Sequence, residues 1–169
     1  MSKLNHLYFG LLDTDALKKV DVIWEQSFFL NDAAFDISLW AGDDPGAPLD
    51  APMLDAFAKL LQNLPALDIY ARQQLEKMLA QDKSYIEFHA EELAEDSETI
   101  SKLLAEVDGG EISIQIFAAA MRLTNIGLWL DVPNAPIIMD YMIDPENSDE
   151  ILAVKLTAEG QLVSIDWES

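Results

Sequence analysis

The sequence predicts a single α+β domain. In it, an antiparallel sheet built from N-terminal hairpin strands and a C-terminal β-meander carries a central block of helices packed on one face. Apolar and polar residues alternate near both ends of the 169-residue chain, whereas apolar residues recur every three or four positions in the middle. We expect strands over about 4–41, helices over about 52–108 and strands over about 111–168, all within one domain that spans 1–169.

The N-terminal third of the chain favours a hairpin with one solvated face. Residues 20–24 and 35–39 alternate apolar and polar side chains, and residues 31–32 between them are Asn and Asp, which form turns. A short apolar run at 7–11 precedes the hairpin. The loop 42–52 holds two glycines and three prolines, so we expect it to end the strands.

Two helices are predicted at the start of the middle third. Residues 53–64 form one apolar stripe, and Asp50 is placed to cap its N-terminus. Pro65 ends this helix in the prediction, because proline lacks the N–H that a helix interior needs. A second helix, over about 67–78, presents another apolar face.

Two further helices follow. The spacing Ser84-x-x-Glu87 matches a capping box, which predicts a third helix or turn running to about residue 94. Ser97 is placed to cap a fourth helix, and the glycines at 109–110 are expected to end it.

The C-terminal third returns to alternation. Residues 112–116 alternate and are taken as a strand, although the alanines at 118–120 leave a helix open as the alternative. Residues 124–127 are interpreted as a turn. Gly160 is expected to adopt positive φ in a tight hairpin connection. The strand candidates in this third are 128–132, 136–143, 151–157 and 162–167.

The charge of the chain restricts its partners. Ten Lys and Arg against 31 Asp and Glu give a net charge of −21, which repels phosphate backbones and anionic lipids. We therefore expect no nucleic-acid and no membrane partner, and a basic protein is the electrostatically matched one. Composition alone favours the simpler interpretation that the acidity only keeps the protein in solution.

Other features bear on location and chemistry. The chain has no cysteine, which removes disulfides, thiolate nucleophiles and cysteine-based zinc sites. Its N-terminus lacks the sustained apolar segment of a signal peptide, and no stretch approaches the roughly 18 apolar residues of a membrane span. We expect a cytoplasmic protein without a cofactor or a metal.

Two patterns resemble metal sites and are interpreted otherwise. His89 and Glu92 share a helix face, but the second histidine of a zinc motif is missing, so His89 is interpreted as a surface residue. The acidic segment 144–150 resembles a calcium loop, yet Asp149 and Lys155 stand where such a loop needs Gly and Glu. An acidic, solvated hairpin is the preferred interpretation of that segment.

The densest acidic segments are the candidate partner-binding surface. A solvated face is the ordinary interpretation of such segments, and docking of lysines or arginines from a partner is the functional one. The candidate residues are Asp43, Asp44, Glu91, Glu92, Glu95 and Asp96. Trp24, Trp40, Trp129 and Trp167 all fall on predicted strands, where core packing is the default and an exposed indole would be an interface anchor.

The ends of the chain resemble a bacterial protein family. The residues that carry the resemblance are Tyr8-Phe9-Gly10, Met139-Asp140-Tyr141, the segment 148–156, and Gly160 followed by the segment 164–169. The family is the domain-of-unknown-function family two-thousand-and-four. The resemblance implies a small stand-alone bacterial domain, similar in size and acidity to immunity proteins of toxin systems, and it supplies no catalytic residues.

The sequence also lacks the motifs of common catalytic and cofactor-binding sites. The chain has no nucleophile elbow, no phosphate-binding glycine loop and no dinucleotide fingerprint. We therefore expect a non-enzymatic, acidic protein-binding domain, of the kind that acts as an immunity or inhibitor protein for a basic partner. The alternative is a small hydrolase that uses acidic residues together with a divalent cation.

Overall fold

The computed structural model describes residues 1–15, 22–42, 46–107 and 112–169. In these residues the chain forms five helices and eight strands, which confirms the predicted α+β class. The helices are α1 (Ala51–Leu61), α2 (Leu64–Gln81), α3 (Ser84–Glu92), α4 (Glu98–Ala105) and α5 (Ile114–Ala120). The strands are β1 (Lys3–His6), β2 (Gly10–Asp13), β3 (Val22–Leu30), β4 (Ala33–Trp40), β5 (Arg122–Trp129), β6 (Ile137–Met142), β7 (Ile151–Leu156) and β8 (Leu162–Glu168).

Strands β3 to β8 form one six-stranded sheet in sequence order. Every neighbouring pair is antiparallel except β4 and β5, which run parallel. The parallel pair follows from the chain order, because the helical block lies between these two strands and returns the chain to the end of the sheet from which β4 started. The C-terminal meander is antiparallel throughout, as predicted.

The small hairpin of β1 and β2 packs against the start of the helical block. His6 is buried, and its Nδ1 accepts hydrogen bonds from the backbone N–H groups of Tyr8 and Phe9. Its Nε2 therefore carries the proton and donates to Asp55 Oδ1 of α1 at 2.8 Å. The apolar run predicted at 7–11 is interrupted by the turn of this hairpin, where Leu7 is fully exposed.

One face of the six-stranded sheet meets the helices. Phe35, Ile37 and Leu39 of β4 point into the core, as do alternate residues of β5, β6 and β7. Helix α2 contributes a stripe of four fully or almost fully buried residues to the same core: Leu67, Ala71, Leu75 and Leu79. Apolar residues spaced three or four apart on the helices therefore pack against apolar residues spaced two apart on the strands, and together they form one apolar core.

A buried ionic network fastens α2 to the sheet. The Tyr141 hydroxyl of β6 donates to Asp68 Oδ1 at 2.6 Å, and Arg72 Nε donates to Asp68 Oδ2 at 3.0 Å. Arg72 also donates to the backbone oxygens of Ala118 and Met121, at the C-terminal end of α5. Burial, followed by the negative charge of Asp68, raises the pKa of Tyr141 well above its ordinary value. The network joins two helices and a central strand.

Most of the predicted helix caps are confirmed. Asp50 Oδ1 accepts from the backbone N–H of Met53, and Ser97 Oγ accepts from that of Ile100. Gly160 adopts φ of 87° in the β7–β8 connection, as expected. The predicted end of the fourth helix at residues 109–110 is wrong, because α4 already ends at Ala105 with Glu106 as its C-cap, and residues 109–110 themselves lie outside the described residues.

Several further local predictions are wrong. The strand predicted over 112–116 is replaced by α5, because Ser113 caps it and the following residues bury Phe117 and Ala118. The predicted turn at 124–127 lies within β5, where Gly127 is a packing position and makes no turn. The capping box at Ser84 is also wrong, since Ser84 is the first helical residue and its backbone N–H bonds to Asp82.

Pro65 does not end α1, which already stops at Leu61. It lies in the first turn of α2, where a missing N–H costs no helical hydrogen bond.

Candidate functional site: the open face of the sheet

The face of the sheet opposite the helices carries a row of residues, one from each of its six strands. Successive side chains on a strand point to opposite faces, so the neighbours of the buried residues lie here. We call this surface the open face, and its central row consists of Ser27, Asp36, Asn125, Asp140, Ala153 and Asp166, which are paired in register across the sheet. Five of the six residues are polar, in contrast to the apolar interior on the other face.

The open face is predominantly acidic. Its carboxylates are Glu25, Asp36, Asp140, Asp166 and Glu168. Lys155 on β7 forms ion pairs with Asp166 at 2.9 Å and Glu168 at 3.0 Å. These hydrogen bonds raise the pKa of Lys155, and the bond from Lys155 lowers the pKa of Asp166. One lysine therefore offsets part of the negative charge at the β8 edge and leaves the rest of the row acidic.

The three aspartates of the central row lie on alternate strands. Asp36 is on β4, Asp140 on β6 and Asp166 on β8. Because neighbouring strands are separated by about 4.8 Å, the Cα atoms of successive aspartates are about 10 Å apart. Ser27 Oγ donates to Asp36 Oδ1 at 2.6 Å, which orients that carboxylate on the surface. The row thus presents negative charge at regular intervals on a rigid backbone.

Asp140 is the most perturbed carboxyl group of the row. Burial raises its pKa to about 6, and the negative charge of Glu168 acts in the same direction. A hydrogen bond from Asn125 and the charge of Lys155 oppose the shift. Asp140 therefore lies in a crowded, negatively charged environment that favours proton uptake or a cationic neighbour.

A stacked tryptophan pair lies at one end of the open face. Trp40 ends β4 and Trp129 ends β5, and the two residues are partners in the parallel register. Their ring centroids are 4.9 Å apart and the ring planes differ by 5°. Both residues are half-buried, so part of each indole remains accessible to a partner. Large aromatic surfaces of this kind supply the main binding energy in many protein interfaces.

A cavity of about 680 Å³ lies beyond the tryptophan pair, where β4 and β5 end. It is lined by Thr14, Ala41, Gly42, Ala47, Pro48, Leu49, Asp50, Leu130 and Asp131. Ala41 and Gly42 directly follow β4, and Leu130 and Asp131 directly follow β5. In sheets whose parallel strands are joined by helices, the carboxyl ends of those strands are the usual place for a ligand crevice.

A second polar cluster is buried on the helical side. His89 is fully buried, so its interpretation as a surface residue is wrong. Its Nδ1 donates to the carbonyl oxygen of Tyr85 at 2.8 Å, and its Nε2 accepts from Ser148 Oγ at 2.9 Å. Burial lowers the pKa of His89, which favours the neutral ring. Both ring nitrogens of His89 are thus engaged by Tyr85 and Ser148, and Glu92, which shares its helix face in the sequence pattern, is exposed and is not one of these partners.

Asp144 belongs to the same cluster. It is buried, so the interpretation of segment 144–150 as a solvated hairpin is wrong at its first residue. Burial alone would raise the pKa of Asp144, but hydrogen bonds from Ser97 and Asn147 outweigh it and lower the pKa. These bonds tie the β6–β7 connection to α4. Among the described residues, no three His, Asp or Glu side chains converge to hold a metal ion.

The sequence-predicted partner-binding residues lie away from the open face. Glu91 and Glu92 end α3, while Glu95 and Asp96 lie in the turn that follows. All four lie on the helical side of the molecule, where Tyr85 of α3 packs against Trp167. Residues 43–44, the predicted Asp43 and Asp44, lie outside the described residues. The two acidic surfaces are therefore alternatives, and the open face was missed because its residues come from six separate strands.

Comparison of the chain with protein-family models, with curated proteins and with solved structures finds no match in any of the three. The resemblance to the bacterial family stays a prediction, as do the cytoplasmic location and the exclusion of nucleic acid. Among the described residues, no helix has the length and apolar character needed to cross a membrane.

Proposed function

We propose that this chain is a non-enzymatic, acidic protein-binding domain whose open face binds a basic protein, as an immunity or inhibitor protein does. The row of carboxylates on alternate strands of a continuous sheet face is the observation that carries the proposal. Lysines and arginines of a partner would pair with Asp36, Asp140 and Asp166.

The open face has the physical properties of a docking surface. Its backbone is held by strand pairing on both sides of β4, β5, β6 and β7, so little conformational entropy is lost when a partner binds. The half-buried Trp40 and Trp129 supply aromatic contact area beside the charged row. A surface with acidic residues around an aromatic anchor matches a basic protein better than a neutral one.

The charge of the whole chain supports the same partner. A net charge of −21 creates an attractive field for a positively charged protein and raises the rate of encounter at low ionic strength. The resemblance to a bacterial family of unknown function, some members of which resemble immunity proteins in size and acidity, is compatible with this proposal, and the basic partner would then be a toxin. Association driven in this way weakens as salt is added.

The alternative of a small hydrolase has less support. The carboxylates of Asp68 and Asp144, both buried, are each engaged in hydrogen bonds that fasten elements together. The carboxylates of the open face are spaced across strands, with Asn125 between Asp36 and Asp140. The arrangement spreads charge over a surface, whereas acid–base catalysis needs two such groups on one reacting bond.

Affinity capture from the source organism tests the proposal. The wild-type chain is compared with Asp36→Asn/Asp140→Asn/Asp166→Asn and with a control of equal charge, Glu91→Gln/Glu92→Gln/Glu95→Gln. We expect a basic protein to bind the wild type and the control at low salt, and the purified partner to bind the open-face variant at least about tenfold more weakly. Recovery of no basic protein at low or high salt would refute the proposal, as would equal binding to both variants.

A further inference from the structure

We infer that the cavity where β4 and β5 end receives an arginine or lysine side chain of the bound protein. This inference rests on the proposed function and adds to it a specific subsite for one residue of the partner. The cavity lies next to the tryptophan pair, because Trp40 immediately precedes Ala41 and Trp129 immediately precedes Leu130. A side chain that crosses the end of the open face would enter it.

The geometry of the parallel strands accounts for the cavity. Trp40 and Trp129 are the last paired residues of β4 and β5. Beyond them the two chain segments stay close, since a Cβ atom placed on Gly42 would lie 3.0 Å from Cβ of Asp131. The cavity is bounded by these segments on one side, and by Thr14 and the residues 47–50 that lead into α1 on the other. With a volume of about 680 Å³, it lies within the range of roughly 300–1,000 Å³ that is usual for ligand pockets. It has room for a long side chain and ordered water.

The charge of the cavity selects a cation. Asp50 and Asp131 line it, and both are exposed to solvent. Asp50 uses Oδ1 to cap α1, which leaves its second carboxylate oxygen for another donor. Within the described part of the chain, no Lys, Arg or His forms an ion pair with either residue. Of the residues that the structure describes, two carboxylates without a cationic partner line the cavity, and no basic side chain does.

The neighbouring aromatic pair makes arginine the best-fitting occupant. A guanidinium group binds carboxylates with two parallel hydrogen bonds and also stacks on indole rings. The carboxylate of Asp131 and the indole of Trp129 belong to residues only two positions apart on one chain segment. Neither indole lines the cavity itself, so an arginine bound there would pair with the carboxylates of Asp50 and Asp131, and the part of its side chain that crosses the end of the sheet would meet the indoles. Lysine would supply the charge with fewer hydrogen bonds.

The test uses a minimal probe, N-acetyl-arginine-methylamide, titrated into the ¹⁵N-labelled chain. We expect NMR shift changes at the amides of Gly42, Leu130 and Asp131 and at the indole N–H groups of Trp40 and Trp129. The citrulline analogue, which has nearly the same shape without the charge, should produce none of them. Asp131→Asn should raise the apparent Kd about threefold to fivefold, while Glu91→Gln should leave it unchanged.

Two results would overturn the inference. One is an equal response to arginine and citrulline probes, and the other is a set of shifts centred elsewhere, with the cavity amides unmoved. Either result is compatible with the proposed function if the purified basic partner still binds the open-face variant more weakly than the wild type. If the partner instead binds the wild type and the open-face variant equally, while the arginine probe still shifts the cavity amides, the cavity is a cation site that is independent of the open face.

Discussion

The indole of Trp129 occupies the space that a side chain at Gly127 would need. A Cβ atom placed on Gly127 would lie 2.6 Å from Nε1 of Trp129, well inside van der Waals contact. Gly127 is two residues before Trp129 on β5, so both lie on the open face. The glycine thus allows the stacked position of Trp129 against Trp40.

Gly127→Ala should destabilise the chain by about 1–3 kcal/mol, because the added methyl group displaces the Trp129 indole. The intrinsic preference of strands for alanine over glycine acts in the opposite direction, so a decrease in the free energy of unfolding indicates the steric contact. Urea unfolding followed by tryptophan fluorescence measures it. In a Trp129→Val background the same substitution should cost much less, and an undiminished cost there would refute the packing explanation.

Asp140→Asn should stabilise the chain at neutral pH by about 1–2 kcal/mol, after allowance for solvent screening. Burial and Glu168 raise the pKa of Asp140 to about 6, from an ordinary value of 3.8. The folded state therefore holds the proton more tightly than the unfolded state, and the ionised group costs stability as pH rises from about 3.8 to about 6.

The pH dependence provides the control for this prediction. The gain should vanish below about pH 4, where the wild-type carboxyl group is protonated and resembles the amide. Thermal unfolding of both proteins at pH 4 and pH 7.5 measures the difference. Asp36→Asn, at an exposed position of the same row, should show a smaller effect at both values. A gain that is the same at both pH values would contradict the assigned cause.

His89→Ala should cost about 2–4 kcal/mol, because it leaves a cavity and removes hydrogen-bond partners from the Tyr85 carbonyl and from Ser148. Burial lowers the pKa of His89 in the folded state. The unfolded state therefore binds the proton more readily, and the stability that the neutral ring provides is lost as pH falls below about 6.5.

Denaturant unfolding between pH 5 and pH 8 measures this linkage. The free energy by which the wild type is more stable than the His89→Ala variant should shrink as pH falls below about 6.5, whereas the opposite contribution of Asp140 is common to both proteins and cancels. A ¹⁵N-detected titration that placed the pKa of His89 above its ordinary value would contradict the buried, neutral assignment.

Ser97→Ala should destabilise the chain by about 2–3 kcal/mol, more than an ordinary helix cap. Ser97 is buried, caps Ile100 at the start of α4 and also donates to Asp144. Ser113→Ala is the matched control, because Ser113 is exposed and caps only α5, so about 1 kcal/mol is expected. Equal losses in chemical denaturation would show that the bond to Asp144 contributes nothing.

The sequence predicts the elements of this fold better than their arrangement. Alternation in Phe35-Asp36-Ile37-Ser38-Leu39 correctly indicates a strand with one solvated face, and the caps at Asp50 and Ser97 are visible as residue types at helix starts. Alternation alone is misleading at 112–116, where the helical preference of the alanines at 118–120 and burial of Phe117 decide the structure.

The open face could not be predicted in the same way. Its central row joins residues as distant as Ser27 and Asp166, and their alignment depends on strand register, which local sequence does not specify. The parallel pairing of β4 and β5, which creates the cavity, depends on where the helical block returns the chain. An acidic run such as that around Glu91 can be read directly from the sequence, whereas Asp36 and Asp140 come to lie in one row, on either side of Asn125, only in the folded sheet.

An NMR footprint of the captured basic partner on the ¹⁵N-labelled chain tests the open face most directly. We expect amide shifts to concentrate at Asp36, Asn125, Asp140 and Asp166, together with the indole N–H groups of Trp40 and Trp129. Shifts centred on Glu91, Glu92, Glu95 and Asp96, with the six-stranded sheet unperturbed, would contradict it and would move the binding surface to the helical side.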